Sequence, residues 1–271
     1  MSQIREVIGR TASGLLYRCE GPEGAPAVLL SAGLGGLAAF FAPQRPVLAG
    51  RFRVLAFDHR GTGANRGPLP SPYSIGQMAE DALEVMEAAG LGRIHWLGHA
   101  LGALVGLEVA RRAPQRLASL LLVNAWAVLD RHTARCFDIR LDILAAQGPA
   151  AYLRAQPLFL HSAPYLSAQA DAVEEELGRA LAEFQGSEVL RARIAALRAF
   201  NIRNALAGIE VPALVLAARD DLLVPWIAGR ALAEGLPRAR FVLLEQGAHA
   251  CTVEQAEACN RLILEFLQSL G

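Results

Sequence analysis

Short, almost wholly apolar runs recur along the chain at residues 27–31, 53–57, 94–97, 119–123, 213–217 and 241–244. Runs of this length without polar alternation predict strands buried on both faces, hence a mostly parallel central sheet with helices on both faces. Between them lie segments of helical period at 75–89, 101–113, 226–234 and 252–270, the first opened by Ser74 as an N-cap. From Asn124 to about residue 208 the pattern changes to helices without intervening strands, with turn signals at Gly148-Pro149, Gln156-Pro157, Ala163-Pro164 and Gln185-Gly186. The chain therefore reads as an α/β core in two parts, 1–124 and 209–271, interrupted by an inserted helical lid at 125–208. Open α/β sheets hold their ligands at the rim of C-terminal strand ends, and a lid inserted there would close over the site.

Composition narrows the function. The chain has 271 residues, and 26 Lys and Arg balance 26 Asp and Glu. A neutral chain has no field to gather nucleic acid or an anionic membrane, so the expected partner is a small-molecule substrate held by local groups. The first ten residues, MSQIREVIGR, carry Arg5, Glu6 and Arg10 where a signal peptide needs an apolar core. No apolar run reaches the length of a membrane span, and a cytoplasmic protein is expected. Cys19, Cys136, Cys251 and Cys259 form no C-x-x-C pair, which argues against a disulfide framework and a structural zinc site. No metal or other cofactor is expected, and a homodimer is the expected assembly for a neutral enzyme of this size.

Chemistry is carried by motifs in a fixed order. Ser31-Ala32-Gly33-Leu34-Gly35-Gly36 follows the first apolar run, and its glycines let the backbone aim the Leu34 N–H at a developing oxyanion. The alternative is an ordinary strand-to-helix turn; a dinucleotide site would need the full G-x-G-x-x-G. Asp58-His59-Arg60-Gly61-Thr62-Gly63 reads as a structural turn in which side chains tie up loop backbone, with a catalytic role the lesser alternative. Gly98-His99-Ala100-Leu101-Gly102 has the frame of a G-x-S-x-G nucleophile elbow with alanine at the nucleophile position. The Leu101 N–H would complete an oxyanion hole there, and His99 is either a variable elbow side chain or a substrate contact. Asp221-Leu222-Leu223-Val224-Pro225 and Gly247-Ala248-His249 then supply a carboxylate and an imidazole, the spacing to Pro225 favouring Asp221 over Asp220. Elbow, acid, histidine is the order of the α/β-hydrolase fold, which the chain resembles.

Without the serine hydroxyl no acyl-serine can form. An aspartate-oriented imidazole can still transfer protons and activate water. Water addition, proton-assisted C–N or C–C cleavage and tautomerisation remain. Cys251, two residues past His249, is either a displaced nucleophile or a packed thiol.

A narrower resemblance is carried by Gly98-His-Ala-Leu-Gly-Ala-Leu-Val-Gly106, Arg135-Cys-Phe137, Gln156-Pro-Leu-Phe-Leu160, Phe184-Gln-Gly186, Asp220-Asp-Leu-Leu-Val-Pro225 and His249-Ala-Cys251. These strings span core and lid and resemble the RutD family of uracil-degradation hydrolases, which shares the alanine at the elbow. The resemblance implies a role in pyrimidine catabolism, hydrolysing carbamate to ammonia and carbon dioxide. The alternative it carries is hydrolysis of aminoacrylate to malonic semialdehyde. Either substrate has a carboxylate that calls for a cation or N–H donors under the lid, and Arg135 and Arg140 are the candidates. Trp126 is a pocket wall or a core tryptophan. Two other classes stay open on the same residues: a lyase or C–C hydrolase with His249 as base, and a non-catalytic ligand-binding homologue.

Overall fold

The computed structural model describes residues 6–270; of the charges read at the N-terminus, Arg5 lies outside them. The order of elements is β1 (Val7–Arg10), β2 (Leu16–Glu20), β3 (Ala27–Ser31), α1 (Arg45–Ala49), β4 (Arg53–Ala56), α2 (Ile75–Ala88), β5 (Ile94–His99), α3 (Leu101–Arg112) and β6 (Leu117–Val123). Four helices follow without a strand: α4 (Arg131–Leu160), α5 (Ala163–Ala168), α6 (Ala170–Ala182) and α7 (Ser187–Ala199). The chain then returns through β7 (Ala213–Ala218), α8 (Trp226–Gly235), β8 (Ala239–Leu244), α9 (Cys251–Glu254) and α10 (Ala256–Gln268).

These strands form one sheet in the order β1-β2-β4-β3-β5-β6-β7-β8, antiparallel at the β1 and β2 edge and parallel elsewhere. Side chains alternate across each strand and build two cores. On one side Leu29, Leu55, Trp96, Leu120 and Val215 pack against α2 and α3 residues such as Met78, Val85, Leu104 and Leu107. On the other, Val28, Leu30, Val54, Leu97, Leu121 and Leu214 pack against Phe41, Ile263 and Phe266. Burial on both faces is why these strands read as unbroken apolar runs.

Three details depart from the sequence reading. The hairpin β1 and β2 was not anticipated, because only Tyr17 and Cys19 of β2 point inward while β1 stays largely exposed. Pro157 does not break α4; it lies in the last turn, where its carbonyl accepts from His161 N at 2.9 Å and closes the helix. The C-terminal helix is divided at Gln255, which adopts φ −117°, ψ 42°. Gly148 bends α4 as the Gly148-Pro149 signal predicted, with φ 80° and ψ −175°. Ser74 caps α2 through a capping box, its hydroxyl accepting from Gln77 N. No helix among the described residues is long and apolar enough to cross a membrane.

Helices α4 to α7 lie over the loops at the C-terminal ends of the strands. Leu160 O at the end of α4 accepts from Ala250 N at 2.8 Å. Glu254 accepts from Ser162 N at 2.9 Å and Ser162 Oγ at 2.6 Å, and pairs with His161 Nδ1 at 3.1 Å. From α7, Arg193 reaches the loop after β3. These contacts bring the helical insertion to the rim where the motif loops converge.

Candidate active site

Ala100 occupies the turn between β5 and α3 with φ 45° and ψ −113°. A positive φ is unfavourable for any residue with a β-carbon, so the turn must be imposed by its surroundings. Ala100 N donates to Val123 O at 2.9 Å on the neighbouring strand. The flanking glycines allow the close approach: a β-carbon at Gly102 would collide with Ser31 O and Ala32 O, and one at Gly98 with the backbone of Gly102 and Ala103. Leu101 begins α3, so its N–H has no acceptor within the helix and is free to serve a ligand.

Asp221 and His249 meet across the loops after β7 and β8. Asp221 Oδ2 lies 2.8 Å from His249 Nδ1, and the two side chains are 0% and 3% exposed. The other carboxylate oxygen accepts from Leu223 N at 2.8 Å and Val224 N at 2.9 Å, which fixes the carboxylate in the loop it starts. With its Nδ1 proton given to the carboxylate, His249 presents Nε2 as the free basic nitrogen. Asp220 faces the other way and accepts from Gly247 N at 3.2 Å and Ala248 N at 2.9 Å, tying the histidine loop to the aspartate loop.

Two further residues hold the histidine from behind. His99 Nε2 donates to His249 O at 2.8 Å, and Asn124 Nδ2 donates to the same oxygen at 2.7 Å. The His99 ring packs against Phe40 and edge-on to the His249 ring, with centroids 4.4 Å and 4.7 Å away. Burial, reinforced by the neighbouring His249, pushes the His99 pKa down to about 3, so this ring is neutral. His99 is thus a support of the histidine loop. Asn124 was not found from sequence; nothing local marks it, although its φ of 49° is a value asparagine tolerates better than most residues. Ala100, Asn124 and Ala248 are the non-glycine residues of positive φ among the described residues, and all three border His249 or the elbow.

The loop after β3 completes the arrangement. Gly33 and Leu34 direct their carbonyls at Arg193, which donates from Nη2 to Gly33 O at 3.2 Å and from Nε to Leu34 O at 3.1 Å. The Asp58 turn is a brace: Asp58 accepts from Ala38 N and Ala64 N, each at 2.8 Å, and Arg60 pairs with Asp81. His59 lies between Ser31 Oγ at 3.2 Å and Arg193 Nη2 at 3.0 Å, and burial together with the Arg193 charge holds its pKa well below the usual imidazole value.

The remaining candidates fall elsewhere. Arg135 lies on the exposed face of α4, opposite the buried stripe of Thr133, Cys136, Phe137 and Arg140, so its selection as a substrate ligand is corrected: helical phase turns it to solvent. Arg140 is buried but enclosed by the rings of Phe137, Tyr152 and Phe159, with Nη2 bonded to Tyr152 Oη at 2.6 Å. Trp126 is 3% exposed and packs in the core, its Nε1 without a partner among the described residues. Cys251 is fully buried, and its hydrogen bond with Cys259, together with burial, raises its pKa well above that of a free thiol, the environment of a packed thiol. Two clefts, one between α4 and α6 around Leu153 and Leu177 and one around Asp58 and Arg66, touch neither Ala100 nor His249.

An eight-stranded, mostly parallel sheet with an elbow after β5 and an Asp–His pair after β7 and β8 defines an α/β hydrolase by architecture. Residues 26–254 match the family described as alpha/beta hydrolase fold. A protein of Variovorax paradoxus named "Putative carbamate hydrolase RutD" is 48% identical over 93% of this chain and 96% of its own length. One of the same name from Agrobacterium fabrum is 44% identical over 90% of this chain and 93% of its own. The crystal structure of a hydrolase from Pseudomonas aeruginosa superimposes with a TM-score of 0.85 at 32% identity, covering 98% of both chains. The chain belongs to the RutD family of α/β-hydrolase-fold proteins.

Proposed function

We propose that this protein hydrolyses carbamate to ammonia and carbon dioxide in pyrimidine catabolism, using His249, Asp221 and an oxyanion hole and no nucleophilic serine. One observation carries the reading: a buried Asp–His pair, its carboxylate fully bonded and its Nε2 free, is kept beside an elbow whose nucleophile position is alanine. An imidazole so held is built for proton transfer. Carbamate needs little more. A proton delivered from His249 Nε2 to the carbamate nitrogen makes it a leaving group, the C–N bond breaks with its electron pair going to nitrogen, and carbon dioxide departs. Asp221 stabilises the imidazolium that precedes the transfer, and solvent restores the proton. The names of the relatives agree with this substrate, and the reaction places the enzyme among hydrolases of C–N bonds other than peptide bonds.

In this reading the N–H groups of Leu34 and Leu101 receive the negative oxygen, Trp126 backs the pocket, and residues 125–208 act as the lid that excludes water. Arg140 contributes positive potential from within the lid. Aminoacrylate, an enamine carboxylate, asks for a proton from the same imidazole on its β-carbon and then for a water molecule that adds to the iminium carbon and displaces ammonia; it is the competing substrate.

The test is stopped-flow release of ammonia and carbon dioxide from freshly made carbamate, with aminoacrylate generated in place as a parallel substrate. Acceleration by the wild type that His249→Ala abolishes is the expected result. Acceleration with aminoacrylate alone would transfer the activity to that substrate. Equality of both proteins with the blank on both substrates would sink the catalytic reading and leave ligand binding.

A further inference from the structure

Arg193 lies midway along α7, in the helical insertion, yet its hydrogen bonds all go to the core: Leu34 O, Gly33 O and His59 Nδ1. It is 0% exposed, and among the described residues its Nη1 has no partner and no carboxylate pairs with it. Burial lowers its pKa to about 10, which still leaves the guanidinium charged at neutral pH. A buried cation without an anion is expensive, and two carbonyls and an imidazole could be satisfied by a neutral donor. The charge therefore calls for an explanation beyond packing.

Peptide geometry supplies it. In a trans peptide the C=O of one residue and the N–H of the next point in opposite directions. Gly33 O and Leu34 N belong to one peptide, so the hydrogen bond from Arg193 to Gly33 O turns the Leu34 N–H away from the arginine. A charged donor on that carbonyl also polarises the amide and strengthens its N–H as a donor. His59 cooperates by staying neutral: its Nδ1 accepts from Arg193, so its proton sits on Nε2 and is given to Ser31 Oγ.

The geometry points to Arg193 as the positioning residue of the oxyanion hole, a lid arginine that orients the Leu34 N–H and sets a permanent positive charge behind it. This rests on the reading of Leu34 as an oxyanion donor. Seating α7 on the core and assembling the hole then become one event.

The test is run in an Ala100→Ser background with 4-nitrophenyl acetate, so that it does not depend on the natural substrate. There the introduced hydroxyl would attack the ester carbonyl, its proton passing to His249 and 4-nitrophenolate leaving with the bonding pair. Adding Arg193→Met is expected to slow the acylation burst at least about tenfold, with half-saturation within about twofold of the parent. Adding Arg193→Lys is expected to give an intermediate rate that declines with rising pH as the desolvated lysine loses its proton, a limb the parent lacks. A folded Arg193→Met protein acylating at the parent rate would overturn the assignment. Should that variant not fold, a Lys variant without the basic limb would overturn it equally. No burst in Ala100→Ser itself would remove the hole and the role of Arg193 with it, leaving the carbamate assay to decide the proposed function separately.

Discussion

A β-carbon at Gly102 would run into the carbonyls of Ser31 and Ala32, whereas one at Gly92 meets nothing. Gly102→Ala is accordingly expected to cost about 2–4 kcal/mol or to abolish folding, while Gly92→Ala stays within about 0.5 kcal/mol, as chemical denaturation would register. The contrast matters because the same approach holds Ala100 at its positive φ. In the Asp221–His249 pair, Asp221→Asn keeps the shape of the side chain but cannot stabilise imidazolium. A loss of about 10²–10⁴-fold in turnover with an unchanged melting temperature is expected, read by the ammonia-release assay. Asp221, His249, Ala100, Leu34 and Leu101 stand out as candidates in the sequence because each lies in a motif that follows a strand. Asn124 and Arg193 do not. Their partners, His249 and the Gly33 loop, are far away in sequence, and neither carries a local pattern that announces the contact.

Among the elements, buried strands declared themselves by composition and the edge hairpin did not, since β1 and β2 alternate or face solvent. Helical phase explains the choice that failed: Arg135 and Arg140 lie five residues apart, and only the second shares the inward face of α4. The insertion is fastened to the histidine loop at one point, where Glu254 gathers His161, Ser162 N and Ser162 Oγ beside the Ala250 N to Leu160 O bond. Glu254→Ala removes the side-chain bonds of that fastening, leaving the backbone bond, without touching the Asp–His pair. It should leave the core melting temperature within a few degrees but speed proteolysis between α4 and α6 markedly, as limited digestion would reveal. Gly148 sits in a conformation open essentially to glycine alone, so Gly148→Ala should strain the bend in α4 by about 1–3 kcal/mol.

For the molecule as a whole, His59 and His99 are folded in their neutral forms with pKa values depressed below 6.5, that of His99 to about 3. The unfolded chain binds protons at both positions once the pH falls below about 6.5, and the folded chain does not until far lower. Stability is therefore complete above about pH 6.5 and lost as the pH falls, by up to about 1.4 kcal/mol per pH unit for each histidine. Urea titrations between about pH 7 and 5 should show that slope, and His99→Gln should reduce it without abolishing it, because His59 remains and burial also lowers the pKa of His95.

The four thiols are all buried, and they are spread over parts that need not open together: Cys19 on the edge hairpin, Cys136 on the buried face of α4, and Cys251 with Cys259 in the helices that follow His249. A disulfide reagent added to the native protein can react only as fast as each region breathes. The protein thus carries its own set of clocks, and the order in which Cys136 and Cys251 are labelled would time the opening of the helical insertion against that of the loop that bears His249.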